Sequence, residues 1–354
     1  MTKPRLTAII DTYNHERFVE EAIVSVLEQD FPRAEMEVIV VDDGSTDRTP
    51  EIVRKFEPRV RLLRKANGGQ ASAFNAGIPE ARGEFLSFLD GDDWWARNKL
   101  TLAMKAFEAE PHLGLVGHGN ILVYPDGHFL QEVLREGFRF QAKTAEGARL
   151  FRLRKSFLGT CRMVIRAGLM RRILPVPEEL RIQADEFLFT LAAVLEPVAI
   201  LPEPLLFYRI HGGNNFQLSS ADPGLARRKQ AILAHIARTL SVRLREMGVS
   251  EQVHSILVEI LQAEALQMRL MQDGGWPWET VKTERKIYEV MHPDAPVSHR
   301  VFKVANLLPA MVLPPKVYYG IRGRLSKSRL YLRARKRWLP VPEPRHVEKI
   351  WKEG

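Results

Sequence analysis

The N-terminal part of the chain alternates short apolar runs with segments of helical periodicity. Four apolar runs have the length of buried strands, at 6–10, 37–41, 60–63 and 85–89. Three segments between them space their apolar residues as helices do, at 16–29, 49–56 and 70–81. The alternation predicts an α/β fold with a mostly parallel sheet and helices on both faces. Ligands of such sheets bind at the carboxyl ends of the strands, so the residues directly after each strand are the candidate site.

Acidic residues end two of these predicted strands. Asp42 and Asp43 follow the second strand, and the run Asp-Gly-Asp-Asp at 90–93 follows the fourth. Carboxylates this close raise one another's pKa, which is unfavourable unless a cation lies among them. Mg²⁺ and Mn²⁺ prefer oxygen ligands and commonly take carboxylates together with substrate phosphates. The run therefore predicts a divalent metal site, and an acidic turn before a helix is the alternative.

A glycine pair precedes the third helical segment. Gly68 and Gly69 stand directly before it, and the segment contains Asn75. Glycines at a helix start let backbone N–H groups approach a phosphate, and a helix N-terminus favours anions. Each feature alone is ordinary in a loop. Because the glycine turn and the acidic residues are predicted at one edge of one sheet, together they predict a nucleotide site beside a metal.

Four motifs in this order resemble the family 2 glycosyltransferases, which have the GT-A fold. They are Ala-Ile-Ile-Asp-Thr-Tyr-Asn at 8–14, Val-Val-Asp-Asp-Gly-Ser-Thr-Asp at 40–47, the glycine and asparagine segment at 68–77, and Phe-Leu-Asp-Gly-Asp-Asp at 88–93. Asp11 stands where the family usually has proline. The resemblance extends to about residue 215. It implies an inverting enzyme that moves a sugar from a nucleotide-diphosphate donor, expected to be a UDP-sugar, to an acceptor hydroxyl in cell-surface polysaccharide or glycolipid synthesis.

The resemblance also implies roles for individual residues. Contacts with the nucleotide sugar are expected from Thr12, Tyr13, Asp42, Asp43, Gly69, Asn75 and Asp90. The cofactor is expected to be Mn²⁺ or Mg²⁺, held by Asp92 with support from Asp93. His211 is a further candidate ligand, because 208–214 resembles the family's loop over the diphosphate; a polar surface histidine is the alternative.

Asp185 and Glu186 are the candidate catalytic bases. They belong to Ala-Asp-Glu-Phe-Leu at 184–188, which resembles the family's acceptor-site motif, although Ala184 replaces a usual acid. A base here would remove the proton of the acceptor hydroxyl. The alternative is that both acids only complement the positive end of the helix predicted at 184–195. The sequence leaves the choice between Asp185 and Glu186 open.

The C-terminal segment carries the net charge of +9. Residues 295–342 contain eleven Lys and Arg and no Asp or Glu, so the other 41 basic residues are outnumbered by 43 acidic ones. This concentration argues against a nucleic-acid-binding protein. Apolar residues at helical spacing within 301–332 predict an interfacial segment on an anionic membrane surface, which would suit a lipid-linked acceptor. A solvated basic tail is the alternative.

Three regions are expected: a catalytic domain at 1–220, a helical region at 221–294 and the basic segment at 295–354. In the middle of the chain the pattern predicts a hairpin within 115–133 and a strand at 157–165. Long helices are predicted at 225–247, 250–271 and 278–291.

The remaining composition bears on location and on competing functions. Cys161 is the one cysteine, so no internal disulfide can form, and no uncharged apolar stretch reaches the roughly 18 residues of a membrane span. We expect a cytoplasmic protein, with peripheral attachment to the inner face of the cell membrane as an option. One alternative to the enzyme is a non-catalytic nucleotide-sugar-binding or scaffolding protein with the same fold. A phosphoryl receiver domain would be much shorter and would leave the run at 90–93 unexplained.

Overall fold

The computed structural model describes residues 3–212, 223–293, 295–325 and 346–351. The chain divides into two units, Met1–Gln217 with Arg345–Gly354, and Leu218–Pro344. The division after 217 lies close to the predicted boundary at 220. Residues on both sides of the second predicted boundary, at 295, belong to the second unit.

The first unit is built on one sheet with helices packed against it. Its strands are β1 Leu6–Thr12, β2 Met36–Asp42, β3 Arg61–Arg64, β4 Phe85–Asp90, β5 Trp94–Trp95, β6 Leu115–Val123, β7 His128–Val133, β8 Phe138–Phe140, β9 Met163–Arg166, β10 Val198–Arg209 and β11 His346–Trp351. Its helices are α1 Val19–Leu27, α2 Thr49–Arg54, α3 Gln70–Glu80, α4 Lys99–Ala109, α5 Ala145–Arg154, α6 Ala167–Ile173 and α7 Ala184–Leu195. Short 3₁₀ turns lie at Arg33–Glu35, Lys155–Leu158 and Thr160–Arg162.

The strand order is β3-β2-β1-β4-β9-β6-β7-β11, and β10 pairs with β5, β6 and β8. The four strands predicted from the sequence, β1 to β4, pair in parallel, whereas β9 is antiparallel to both β4 and β6. The predicted α/β fold class is confirmed, with a mixed sheet beyond β4. Register places Thr12 beside Asp42 and Asp11 beside Asp90, so the motif acids meet at one edge.

Helices cover both faces of β1 and β2, which explains why their apolar runs are continuous. Ile10 and Val40 share a core cluster with Ile23 of α1. Ile9 and Val41 point to the opposite face, because successive side chains in a strand alternate. There α3 approaches so closely that a Cβ added at Gly77 would lie 2.7 Å from Val41 Cγ2. Glycine at 77 therefore allows the helix to pack directly on the sheet.

The predicted hairpin is confirmed by β6 and β7, which pair antiparallel. The predicted strand at 157–165 is wrong over most of its length, since only Met163–Arg166 is extended. The residues before it form the turns Lys155–Leu158 and Thr160–Arg162. Phe157 and Leu158 are fully buried there. Their apolar character reflects burial of the turns and not extended backbone.

The second unit is helical, as predicted. Its helices are α8 Pro223–Glu246, α9 Glu251–His254, α10 Ile260–Gln272, α11 Pro277–Met291, α12 Val297–Leu307 and α13 Pro315–Leu325, with a π-helical stretch at Ser255–Glu259 and a 3₁₀ turn at Leu308–Met311. Leu270, Leu307 and Tyr318 pack in its core. Nowhere within the described ranges is a helix both long and apolar enough for a transmembrane span. The last part of the predicted interfacial membrane segment, residues 326–332, lies outside the described residues.

Candidate active site

The glycine turn before α3 holds Asp43 in place. The Asp43 carboxylate accepts hydrogen bonds from the backbone N–H of Gly68 at 3.0 Å and of Gly69 at 2.7 Å. It also pairs with Lys65 Nζ at 2.5 Å. The sequence predicted that these N–H groups approach a phosphate. In the structure the nearby carboxylate takes them, so the turn orients Asp43.

Two further residues that were predicted to contact the nucleotide sugar form their hydrogen bonds within the protein. Asp42 is fully buried, accepts the N–H of Ser45 at 2.9 Å and pairs with Arg64 Nε at 3.1 Å. The Asn75 amide donates to Val176 O and accepts Val176 N–H, both at 2.8 Å. These contacts stabilise the fold around the site, and the predicted contact of Asp42 and Asn75 with a nucleotide stays a prediction. Asn75 in particular ties α3 to the loop at Val176.

Thr12 and Tyr13 end β1 and differ in exposure. Thr12 is buried, with Oγ1 3.2 Å from His15 Nδ1. Tyr13 exposes 44% of its surface. The ring is therefore open to a flat ligand beside Asp43, whose N–H bonds to Thr12 O at 2.9 Å.

Asp92 lies between two histidines. Its Oδ2 is 3.0 Å from His211 Nε2 and 3.9 Å from His15 Nε2. Burial opposes ionisation of Asp92, but the hydrogen bond with His211 and the proximity of His15 hold its pKa below the usual value. The structure thus brings the predicted Asp92 and His211 together. His15 directly follows the first motif, but no pattern in the sequence indicated it as a site residue.

Three neighbouring carboxyl groups are buried without full hydrogen bonding. One oxygen each of Asp11, Asp90 and Asp93 has no hydrogen-bond partner among the described residues. Burial, followed by the charge of Asp92, raises the pKa of Asp90 to about 7. Burial and the neighbouring carboxylates raise the pKa of Asp11 and Asp93 well above the usual value. Orphaned carboxylate oxygens of this kind fit a hard divalent cation.

Cys161 lies within the same cluster. Ligand atoms of Asp90, Asp93 and Cys161 all lie within 4.8 Å of one another. Burial raises the pKa of the Cys161 thiol well above its usual value, so it stays protonated. A neutral thiol is a poor ligand for Mg²⁺ or Mn²⁺, which take oxygen. Its contact is instead with Asp90, whose N–H lies 3.1 Å from Sγ.

The end of β10 positions this acidic loop. The Arg209 N–H donates to Asp93 Oδ1 at 2.9 Å, and Arg209 Nε donates to Asp92 O at 3.0 Å. The guanidinium lies 4.9 Å from the Phe18 ring and 4.4 Å from the Trp94 ring. A cation between two rings is held firmly. Arg209 therefore fixes the loop that carries both acids.

The two candidate bases at the start of α7 have different surroundings. Glu186 is buried and pairs with Lys155 and, at 3.4 Å, with Arg152. Although burial opposes it, Lys155 and Arg152 lower the pKa of Glu186. Asp185 is half-buried and accepts the backbone N–H groups of Glu186 and Thr160. Burial and the charge of Glu186 raise its pKa to about 6. Only Asp185 thus combines an open position with a raised pKa.

With this geometry established, comparison with known proteins identifies the family. Residues 7–172 match the profile of Glycosyl transferase family 2. Residues 7–172 therefore form a glycosyl transferase family 2 domain. The family and the enzyme class predicted from the four motifs are confirmed.

Sequence relatives support this membership. An uncharacterized glycosyltransferase of Nostoc sp. is 31% identical over 218 residues, which are 60% of this chain and 66% of the relative. The poly(ribitol-phosphate) beta-N-acetylglucosaminyltransferase TarS of Staphylococcus aureus is 32% identical over 212 residues, 58% of this chain and 35% of TarS. The match therefore covers less than two-thirds of either relative.

Solved structures show the same fold. TarS residues 1–349 in complex with UDP align with a TM-score of 0.57 at 20% identity, covering 99% of this chain and 97% of that one. The mannosyltransferase PcManGT from Pyrobaculum calidifontis, in complex with GDP-Man and Mn²⁺, aligns with a TM-score of 0.54 at 20% identity over 95% and 84% of the two chains. The GT-A architecture predicted from the motifs is confirmed.

Proposed function

We propose that this chain is an inverting transferase that moves a sugar from a nucleotide-diphosphate donor to an acceptor hydroxyl, in cell-surface polysaccharide or glycolipid synthesis. The observation that carries this proposal is the group of buried carboxyl groups of Asp11, Asp90 and Asp93 beside Asp92, each with one oxygen that has no hydrogen-bond partner among the described residues. Burying such groups without a counter-charge is unfavourable, so the site needs a cationic ligand. Asp185, a candidate base whose charge acts on Asp90, favours a transferase over a non-catalytic scaffold, which needs no base.

For the donor we propose a UDP-sugar. Tyr13 offers an exposed ring for the base, Asp43 lies beside it with a fixed carboxylate, and Asp90 would face the ribose. TarS, which has the same fold, has been solved with UDP and with UDP-GlcNAc. Asp42 and Asn75 act behind this surface, where they hold β2 and α3 in place.

For the metal we propose Mn²⁺ or Mg²⁺, held by Asp92 with Asp93 and His211 nearby. Such a cation, when bound, neutralises the negative charge of the departing diphosphate. His211 and His15 keep Asp92 ionised and oriented. Arg209 holds the backbone between Asp92 and Asp93. The mannosyltransferase PcManGT, with the same fold, has been solved with Mn²⁺.

For the catalytic base we propose Asp185. A pKa of about 6 leaves it ionised at neutral pH yet basic enough to accept the proton of the acceptor hydroxyl. One base that activates the acceptor opposite the leaving diphosphate gives inversion. Glu186 is not suited to this role, because Lys155 and Arg152 already neutralise it. We assign Glu186 to positioning α7.

A donor screen by thermal shift tests the proposal. We expect UDP-sugars with Mn²⁺ to raise Tm in proportion to the logarithm of their concentration, because ligands that bind the folded state stabilise it. Asp92→Ala should lose the metal-dependent part of the shift. The proposal fails if no nucleotide sugar raises Tm with Mn²⁺. A shift without release of nucleoside diphosphate over a range of acceptors would favour the non-catalytic alternative.

We also propose that the second unit binds an anionic membrane, where a lipid-linked acceptor would lie. The observation is an apolar stripe along α12 and the following turn. Its members recur every three or four residues and are all exposed: Val297, Val301, Val304, Leu308 and Met311. Exposed apolar stripes mark interaction surfaces, and the absence of acid throughout 295–342 suits an anionic lipid surface.

Co-sedimentation with vesicles tests membrane binding. We expect the full chain to bind phosphatidylglycerol vesicles at low salt and to be released by high salt, since charges are screened. The double variant Val301→Asp with Val304→Asp should bind at least about tenfold less, because its stripe can no longer enter the lipid. Val242→Asp with Met271→Asp, at exposed positions of α8 and α10, adds the same charge and is the matched control. Failure of the full chain to bind at low salt would overturn the proposal.

A further inference from the structure

A basic cavity lies at the edge of the sheet opposite the candidate active site. It has a volume of about 860 Å³ and opens beside the starts of β2 and β3. Six basic side chains line it: Lys3, Arg33, Arg59, Arg61, Arg82 and Arg171. We call it the arginine cavity. A seven-residue strand is about 20 Å long, so this cavity is separated from the Asp42 and Asp90 edge by the length of β2.

The one acid in the lining is already neutralised. Glu37 is buried and accepts the N–H of Arg82 at 2.9 Å, its Nε at 2.8 Å and the Thr7 hydroxyl at 2.7 Å. Arg61 pairs with Glu80 at 2.7 Å. Two of the six cations thus have carboxylate partners within the protein.

The other four cations have none. Within the described residues, no carboxylate forms an ion pair with Lys3, Arg33, Arg59 or Arg171. Arg33 instead donates to the backbone oxygens of Met36 and Arg59, both at 2.5 Å. Arg171 donates to Ala81 O at 3.2 Å. Carbonyl oxygens fix the guanidinium groups without cancelling their charge.

Arg33 and Arg59 lie close enough for their positive charges to interact. Burial of part of the Arg33 side chain lowers its pKa, and the charge of Arg59 lowers it further. Arg59 in turn lies 5.7 Å from the Phe56 ring. Like charges held this way repel in the free protein, and an anion between them would relieve the repulsion. The side chains are oriented beforehand, so a ligand loses little entropy in ordering them.

We propose that the arginine cavity binds a polyanion that carries phosphate groups. Guanidinium groups bind phosphate oxygens in pairs, and four unneutralised cations call for more than one phosphate. The volume lies within the range of about 300–1,000 Å³ typical of small-molecule sites. Such a ligand would bind at a second site, independent of the donor, and the proposal does not rest on the transfer reaction.

Titration calorimetry with sodium tripolyphosphate tests this site. In metal-free buffer at low salt, we expect one tripolyphosphate per chain, bound more weakly as salt rises. The double variant Arg33→Gln with Arg59→Gln should bind about tenfold more weakly or worse. Both side chains are exposed, so the fold should persist. The matched control Arg97→Gln with Lys105→Gln removes the same charge from exposed positions elsewhere on the unit and should stay within about twofold of the parent.

A second arm identifies the source of the phosphate. Binding of the same variants to phosphatidylglycerol and to phosphatidylcholine vesicles is compared with the tripolyphosphate result. Tripolyphosphate binding lost only in the cavity variant supports a free polyanion. Vesicle binding lost only in the cavity variant, without tripolyphosphate binding, supports a lipid phosphate. Equal losses in the cavity and control variants, or no binding of either probe, would overturn the proposal.

Discussion

The two edges of the central sheet collect ionisable side chains of opposite kind, acids at one edge and arginines at the other. At the carboxyl ends of β1 and β4, Asp11 and Asp90 each keep one buried oxygen that has no hydrogen-bond partner in the described part of the chain. At the amino ends, Arg33 and Arg171 donate to backbone carbonyls and form no ion pair with a carboxylate among the described residues. A fold has no need of such groups for its own stability. Groups of like charge without partners therefore indicate ligand sites. We expect a cation at one edge and an anion at the other.

Each edge also contains a paired glutamate. Glu186 bonds with Lys155 and Arg152 beside the acidic edge, and Glu37 bonds with Arg82 at the basic edge. Both have lowered pKa values, whereas the neighbouring Asp185 has a raised one. At the start of α7, pairing therefore separates Glu186, which holds the structure, from Asp185, which is available to a substrate.

The largest effect is expected from Asp92→Ala. Loss of the carboxylate between His15 and His211 should lower transfer by about 10⁴-fold, because a metal contributes several kcal/mol to stabilising the departing charge. Release of nucleoside diphosphate measures the rate. Asp126→Ala, at an exposed hairpin turn, should leave the rate unchanged. Metal-dependent donor binding that persists unchanged in Asp92→Ala would show that the metal lies elsewhere.

Asp185→Asn comes next. Turnover should fall by about 10²–10⁴-fold, the usual contribution of a general base, with donor affinity unchanged. Initial rates and donor titration by thermal shift separate the two quantities. Full activity in Asp185→Asn together with an inactive Glu186→Gln would move the base one residue along the chain.

Glu186→Gln should instead lower stability. The substitution leaves Lys155 and Arg152 facing a neutral side chain in a buried position, which costs about 3–5 kcal/mol. Urea unfolding followed by circular dichroism measures the loss, with Asp185→Asn as the neighbouring control. An unchanged unfolding midpoint would contradict the structural role of Glu186.

The smallest effect is on pH dependence. Because the pKa of Asp185 is raised to about 6, its protonated form persists to higher pH and cannot accept a proton. We expect kcat/KM to be constant above that pH and to be about tenfold lower at pH 5. In Asp185→Asn this acid limb should disappear. A loss of kcat/KM at low pH that persists in Asp185→Asn would arise from another titrating group.

Much of the fold followed from local patterns in the sequence. The apolar runs of β1, β2 and β4 are continuous because both of their faces are covered, and parallel pairing then brings their ends together. That reasoning alone placed Asp42 and Asp90 at one edge, as the register shows.

The rest depended on contacts between distant residues. Lys155 and Arg152, which neutralise Glu186, precede it by 31 and 34 residues and follow no motif. Lys155 begins a turn next to the predicted strand at 157–165, whose apolar residues gave no sign of a turn. No sequence pattern indicated the hydrogen bond between Asn75 and Val176, which are 101 residues apart. Sequence patterns therefore indicate which residues share an edge of the sheet, whereas tertiary contacts determine the role of each residue there.

The contacts of Arg209 limit where the first unit can be joined to a helical unit from another transferase. Anyone who exchanges the helical unit for that of another transferase must keep the parent sequence through His211. A junction before Arg209 would remove the N–H that holds Asp93 and the side chain that rests on Phe18 and Trp94. The end of β10 therefore belongs with the candidate active site, and a junction should lie downstream of His211.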